Sequence, residues 1–169
     1  HEHKTIELVL LGDFFELLQI TPTKTKNKIE VLLQKQEYKQ LFQRLLQFSK
    51  KHKIVYIIGN HDQELYWNTE LQRTLASYGI AVTGKGNLSY MKQFTSGKRS
   101  FTLYAEHGNK FDLQNSFIDY SSKTETPLGH HLMTDFANKI GKLEKENGRA
   151  WLHDVSNVRP LELLPQWFV

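Results

Sequence analysis

Val55-Tyr56-Ile57-Ile58-Gly59-Asn60-His61-Asp62 is an apolar run that stops at a glycine and then presents three polar side chains in succession. Such a run, rich in β-branched residues and too short for a helix, reads as a buried strand over 54–58. Its carboxyl end delivers amide, imidazole and carboxylate together. Two other runs stop in the same way: Leu8-Val9-Leu10-Leu11 ends at Gly12-Asp13, and Phe101-Thr102-Leu103-Tyr104-Ala105 ends at Glu106-His107-Gly108-Asn109. The interval from Asp13 to Asn60 is 47 residues, as is that from Asn60 to His107. Each leaves room for one crossover or hairpin.

Working outward, the first strand covers 6–11, and Phe14, Phe15, Leu17 and Leu18 continue it into an apolar loop or helical turn beneath the strand ends. Residues 21–27 form a polar connector. Asn27 and Glu30 have the spacing of a capping box at a helix start. Tyr38, Leu41, Phe42, Leu45 and Leu46 then recur at helical spacing, predicting an amphipathic helix to about Lys51. A further helix is expected over 63–78, ended by Gly79, followed by a short strand over 80–82. Residues 88–94 and 99–105 read as a hairpin turning at Thr95-Ser96-Gly97-Lys98. Beyond Gly108 a polar segment leads to a helix after Thr126-Pro127. Strand, helix, strand, helix and hairpin make the fold class α/β, with a parallel start and an antiparallel finish.

The 169 residues suit one domain with a real core. We expect residues 1–169 to be that single domain, incomplete at both ends, because the chain begins His1-Glu2-His3 and finishes on an apolar Trp167-Phe168-Val169. No apolar stretch is long enough for a membrane span, so the expected location is the cytoplasm, free or peripheral to the membrane. Without cysteine, a metal site must use nitrogen and oxygen donors. The formal charge of +4 comes from lysines spread over helix faces and loops, which favours a solvated surface over a nucleic-acid stripe. Gly-x-Gly-x-x-Gly, Walker and serine-elbow motifs are absent, which argues against dinucleotide binding, P-loop chemistry and a serine hydrolase built on His153-Asp154.

Taken singly, an Asp after Gly is a turn residue and a His before Gly a hydrogen-bonding loop residue. Together, Asp, Asn and His at three strand ends form a mixed N/O donor set of the kind that suits Mn, Fe or Zn. Gly12-Asp13, Gly59-Asn60-His61-Asp62 and His107-Gly108, in this order, resemble the calcineurin-like metallophosphoesterase superfamily, and His107-Gly108-Asn109 with the later Thr126-Pro127-Leu128-Gly129 resemble its bacterial branch containing UDP-2,3-diacylglucosamine pyrophosphatase-like enzymes. The resemblance covers 12–109. It implies a mixed β-sandwich flanked by helices, with 110–169 as a helical insertion or cap. It also implies two divalent ions and hydrolysis of a phosphomonoester, phosphodiester or pyrophosphate through a metal-bridging hydroxide. The substrate would be a phosphorylated small molecule or a lipid-linked one; nucleic acid is the less favoured class.

By the same resemblance Asp13 bridges the ions, and Asn60 and His107 bind the second. His61 faces the leaving group and Glu16 orients it, with Glu standing where Asp is commoner. Asp62 is read first as a helix-terminal acid and second as an orienter, and Asn109 either contacts phosphate or holds its loop. The chain departs from the family pattern in two blocks. No Asp-x-His precedes Gly12, His1 and His3 are poor substitutes, and Gly129-His130-His131 lacks the spacing of Gly-His-x-His. Those gaps motivate a second reading, a non-catalytic metal-binding scaffold serving a protein or nucleic-acid partner. Trp151, Trp167 and Phe168 are read as core or interface anchors before pocket walls.

Overall fold

The computed structural model describes residues 5–83 and 87–138. His1, His3, Trp151, His153, Asp154, Trp167 and Phe168 lie outside them, as does the segment expected to be an insertion from 139 onward. The fold is mixed α/β, with a small parallel sheet and an antiparallel pair. Strands β1 (Glu7–Leu10), β2 (Lys53–Tyr56) and β3 (Ile80–Val82) form the parallel sheet in that order. Between β1 and β2 run helices α1 (Lys28–Leu32) and α2 (Gln36–Ser49), and between β2 and β3 runs α3 (Thr69–Ser77).

Residues in register share a face of the sheet, so Leu8, Ile54 and Ile80 form one row and Leu10, Tyr56 and Val82 the next. Ile54, Ile80 and Tyr56 are almost wholly buried, and they meet Ile29, Phe42, Leu45, Leu71 and Leu75 from the helices in one core. Phe15 and Phe42 stack at 4.9 Å, and Phe15 stacks on Tyr56 at 5.6 Å. Phe14, expected beneath the strand ends with Phe15, is instead 44% exposed. The backbone turns at this point, so the two adjacent rings cannot both point inward.

Two predicted helices are each divided. The capping box at Asn27 and Glu30 forms in full, but the helix it opens ends at Leu32, and α2 starts afresh at Gln36. No glycine or proline breaks the run; α1 packs on α3 while α2 packs on β2 and β3. One straight helix could not serve both, so tertiary packing overrides local propensity. The 63–78 segment is a 3-10 turn at Gln63–Tyr66 followed by α3, which restarts at Asn68, whose side chain accepts from the amides of Glu70 and Leu71.

The hairpin consists of β4 (Ser89–Ser96) and β5 (Arg99–Glu106), joined through Gly97-Lys98. Glu7 on β1 pairs with Lys92 on β4. After β5 come a 3-10 turn at Asn109–Phe111, a loop, and α4 (Leu128–His131) running into a π-helical stretch at Leu132–Ala137. Among the described residues no helix is long and apolar enough to cross a membrane.

Candidate functional site

The carboxyl ends of β1 and β2 are adjacent because the strands are parallel neighbours, and the end of β5 reaches the same edge. His107 is the first residue past β5, and its Nδ1–H donates to the Leu11 carbonyl at 2.6 Å. The opposite ring nitrogen, Nε2, lies 3.0 Å from Asp13 Oδ2 and 3.0 Å from Asn60 Oδ1. The three strand ends separated by 47 residues each therefore converge on a single point. A side chain on Gly12 would push the His107 ring and the Gly59 backbone away, since its Cβ would stand 2.7 Å from His107 Nδ1 and 2.8 Å from the Gly59 backbone.

With Nδ1 bound to a carbonyl, Nε2 faces two oxygens that carry lone pairs. Either the imidazole takes a second proton and donates to both, or a cation takes that proton's position. In the cation-free molecule the Asp13 carboxylate favours the proton and raises the His107 pKa above 6.5, against the opposing effect of burial. The donor set also fits a metal. Bonds of about 2.1 Å at right angles would put neighbouring donors about 3.0 Å apart, and histidine ligands usually donate their other ring N–H to a carbonyl or carboxylate. Asn60 is 9% exposed, and its Nδ2 is directed to Asn115 Oδ1 at 3.4 Å, which turns Oδ1 toward His107. Among the described residues no group of three or more His, Cys, Asp and Glu side chains forms a metal cluster. The third donor of this trio is an amide oxygen.

His61 stands beside the trio without joining it. Its Nδ1 lies 2.6 Å from Glu16 Oε2, so Nδ1–H donates to that carboxylate. Glu16 is the first cause of the raised His61 pKa; burial opposes it, and Asp13 and Asp62 add to it. The His61 backbone N–H donates to Asp13 Oδ1 at 2.9 Å, which locks the two halves of the site together. Asp13 and Glu16 both adopt left-handed backbone conformations, with φ of 52° and 50°. Such angles are uncommon for residues with side chains and persist where surrounding contacts enforce them.

Asp62 stands at a helical N-terminus, as its reading as a helix-terminal acid expects. It makes no side-chain cap on the 3-10 turn that follows. Its carboxylate turns inward instead, fully buried, where Oδ2 accepts from the Asp13 amide at 2.5 Å and from the Tyr56 hydroxyl at 2.7 Å. Burial raises its pKa to about 6, against the lowering effect of these hydrogen bonds. Asn109, placed in sequence terms at either phosphate or its own loop, donates from Nδ2 to the Asn115 carbonyl at 2.9 Å and so holds the loop. His131 bonds Thr126 Oγ1 and Asp135 Oδ2 near its own helix and is not part of the trio.

Tyr56, Asn115 and the Leu11 carbonyl are site components that the sequence reading missed. A tyrosine inside an apolar strand did carry a signal, because a buried hydroxyl needs a partner. Asn115, in a polar loop, carried none. The chain matches no family model, no curated protein and no solved structure.

Proposed function

We propose that the chain belongs to a metal-dependent phosphoesterase of the calcineurin-like type, acting on a phosphomonoester, phosphodiester or pyrophosphate. The observation that carries this reading is the convergence of Asp13 Oδ2, Asn60 Oδ1 and His107 Nε2 within hydrogen-bonding distance of one another. Asp13, Asn60 and His107 would hold a divalent ion, Mn, Fe or Zn by their chemistry, with a second ion sharing Asp13. Such ions supply a hydroxide nucleophile at neutral pH and draw charge off the phosphoryl oxygens.

The remaining steps fall to this chain's own groups. Glu16 holds the Nδ1 proton of His61, so Nε2 is the nitrogen left to carry a proton to the departing oxygen. The imidazolium also offsets negative charge that builds up on the phosphoryl group. The same reading makes the parallel sheet and the hairpin two faces of a mixed sandwich. The Glu7–Lys92 pair and the bond from His107 to Leu11 support that arrangement, because the first ties the hairpin to β1 and the second joins the residues that follow β5 and β1. A purely binding scaffold would need the trio, but it would have no use for an ordered His61–Glu16 pair beside it. That pair favours the enzyme.

The test is Asp13→Asn in the full-length protein. Bound manganese, measured by elemental analysis, should fall, and turnover of an aryl phosphate with Mn²⁺ should drop by more than about 100-fold. Unchanged turnover would sink the assignment.

A further inference from the structure

The loop that leaves β1 presents three consecutive backbone amides, those of Asp13, Phe14 and Phe15, to the interior rather than to solvent. All three end on one pair of side chains. The Asp13 N–H donates to Asp62 Oδ2 at 2.5 Å, the Phe14 N–H donates to Tyr56 Oη at 2.9 Å, and the Phe15 N–H reaches the same Oη at 3.4 Å. Tyr56 in turn donates its hydroxyl proton to Asp62 Oδ2 at 2.7 Å. Both side chains are fully buried, and the tyrosine ring is fixed by its stack on Phe15.

We infer that Tyr56 and Asp62 form a buried anchor that positions Asp13 and Glu16, and through them both halves of the site. The inference rests on the phosphoesterase reading for its consequence, but its structural content stands on the hydrogen bonds alone. Left-handed angles at Asp13 and Glu16 are disfavoured and need enforcement. The anchor supplies it by capturing every amide between the two. With the loop so bent, Asp13 presents Oδ1 to the His61 amide and Oδ2 to His107, while Glu16 reaches His61 Nδ1. Neither Tyr56 nor Asp62 faces the space between the donors, so these are positioning residues, not catalytic ones.

The discriminating variant is Tyr56→Phe, which keeps the ring and its stack and removes only the hydroxyl. In metal-free protein we expect hydrogen-exchange protection of amides 13–15 to fall at least about tenfold relative to the amides of β2, and the ring ¹⁵N signals of His61 and His107 to shift. Affinity for Mn²⁺ alone, by titration calorimetry, should weaken at least about tenfold. Leu75→Ala, a core truncation in α3, is the control for lost stability as such; it should lower the melting temperature and leave all three readouts unchanged. Unaltered protection and ring signals in Tyr56→Phe, or the same changes in Leu75→Ala, overturn the inference. If the parent protein takes up no Mn²⁺, the metal reading fails, and exchange and ring signals still decide the anchor. Should Tyr56→Phe not fold, Asp62→Asn takes its place, keeping the shape and one acceptor oxygen. It must lower the protection of amide 13 more than that of amides elsewhere, and uniform loss counts against the anchor.

Discussion

A Cβ on Gly59 would lie 2.1 Å from Asp13 Oδ1 and 2.8 Å from the Asp13 backbone nitrogen. Gly59→Ala is therefore expected to push the Asp13 carboxylate off the His61 amide. It should destabilise the fold by about 1–3 kcal/mol in urea titrations, as overpacking does, and reduce metal uptake as well. His61 gives a prediction in pH. Its folded-state pKa lies above 6.5 because Glu16 accepts its Nδ1 proton, so the imidazolium persists above the pH at which a free histidine loses it. The stabilisation from the pair is fully present below 6.5 and is lost as pH rises through the raised value. In Glu16→Gln, NMR titration of the metal-free protein should show the His61 transition move down toward 6.5. The alkaline limb of the rate profile should move down with it. Asp13, Asn60 and His107 were legible because a metal-ligating side chain beside a glycine at a strand end has few other reasons to recur three times. Tyr56 was legible only in part, since its place in an apolar strand says that the hydroxyl needs a partner but not which one.

At the level of elements, Asn27 does more than its capping box shows. Its side chain accepts from the Glu30 amide and donates to Glu70 Oε1 and Thr74 Oγ1 on α3. It thereby joins the start of α1 to the flank of another helix. Asn27→Ala should cost roughly 1–2 kcal/mol in chemical denaturation, at the upper end for a cap. Replacement by Asp should recover the cap but not the bonds to α3. The existence and type of the strands and helices followed from local pattern, and so did the hairpin turn. The breaks at 33–35 and 67–68 did not, because each is set by which neighbour a segment packs against. Leu33, Gln34 and Lys35 are good helix formers, yet the helix stops there, because α1 packs on α3 while α2 packs on β2 and β3.

At the scale of the whole molecule, side chains tie the parallel sheet to the hairpin among the described residues. Glu7 is one of them, and the Lys92 ammonium, followed by the Tyr90 hydroxyl, holds its carboxyl below the usual value of 4.5. A depressed folded-state pKa gives stability that is present above 4.5 and lost as pH falls through the lower value. Glu7→Gln should flatten the acid side of melting temperature against pH between about 3 and 5. The effect should be small, because the pair is solvent-screened. That three strand ends meet was readable from chain order; which side chains tie the sheets together was not, because a lysine facing solvent and a lysine facing Glu7 look alike in sequence. The loop from Gly12 to Glu16 has a last consequence, for chain length. Asp13 serves one half of the site and Glu16 the other, and the amides between them are captured at fixed points. The three-residue step from Asp13 to Glu16 thus works as a ruler: one residue inserted or deleted there would put donor and proton carrier out of step at once. The connector at 21–26, whose Thr23 N–H donates to the Lys26 carbonyl within the connector itself, is where the same chain is expected to lengthen or shorten without the site registering the change.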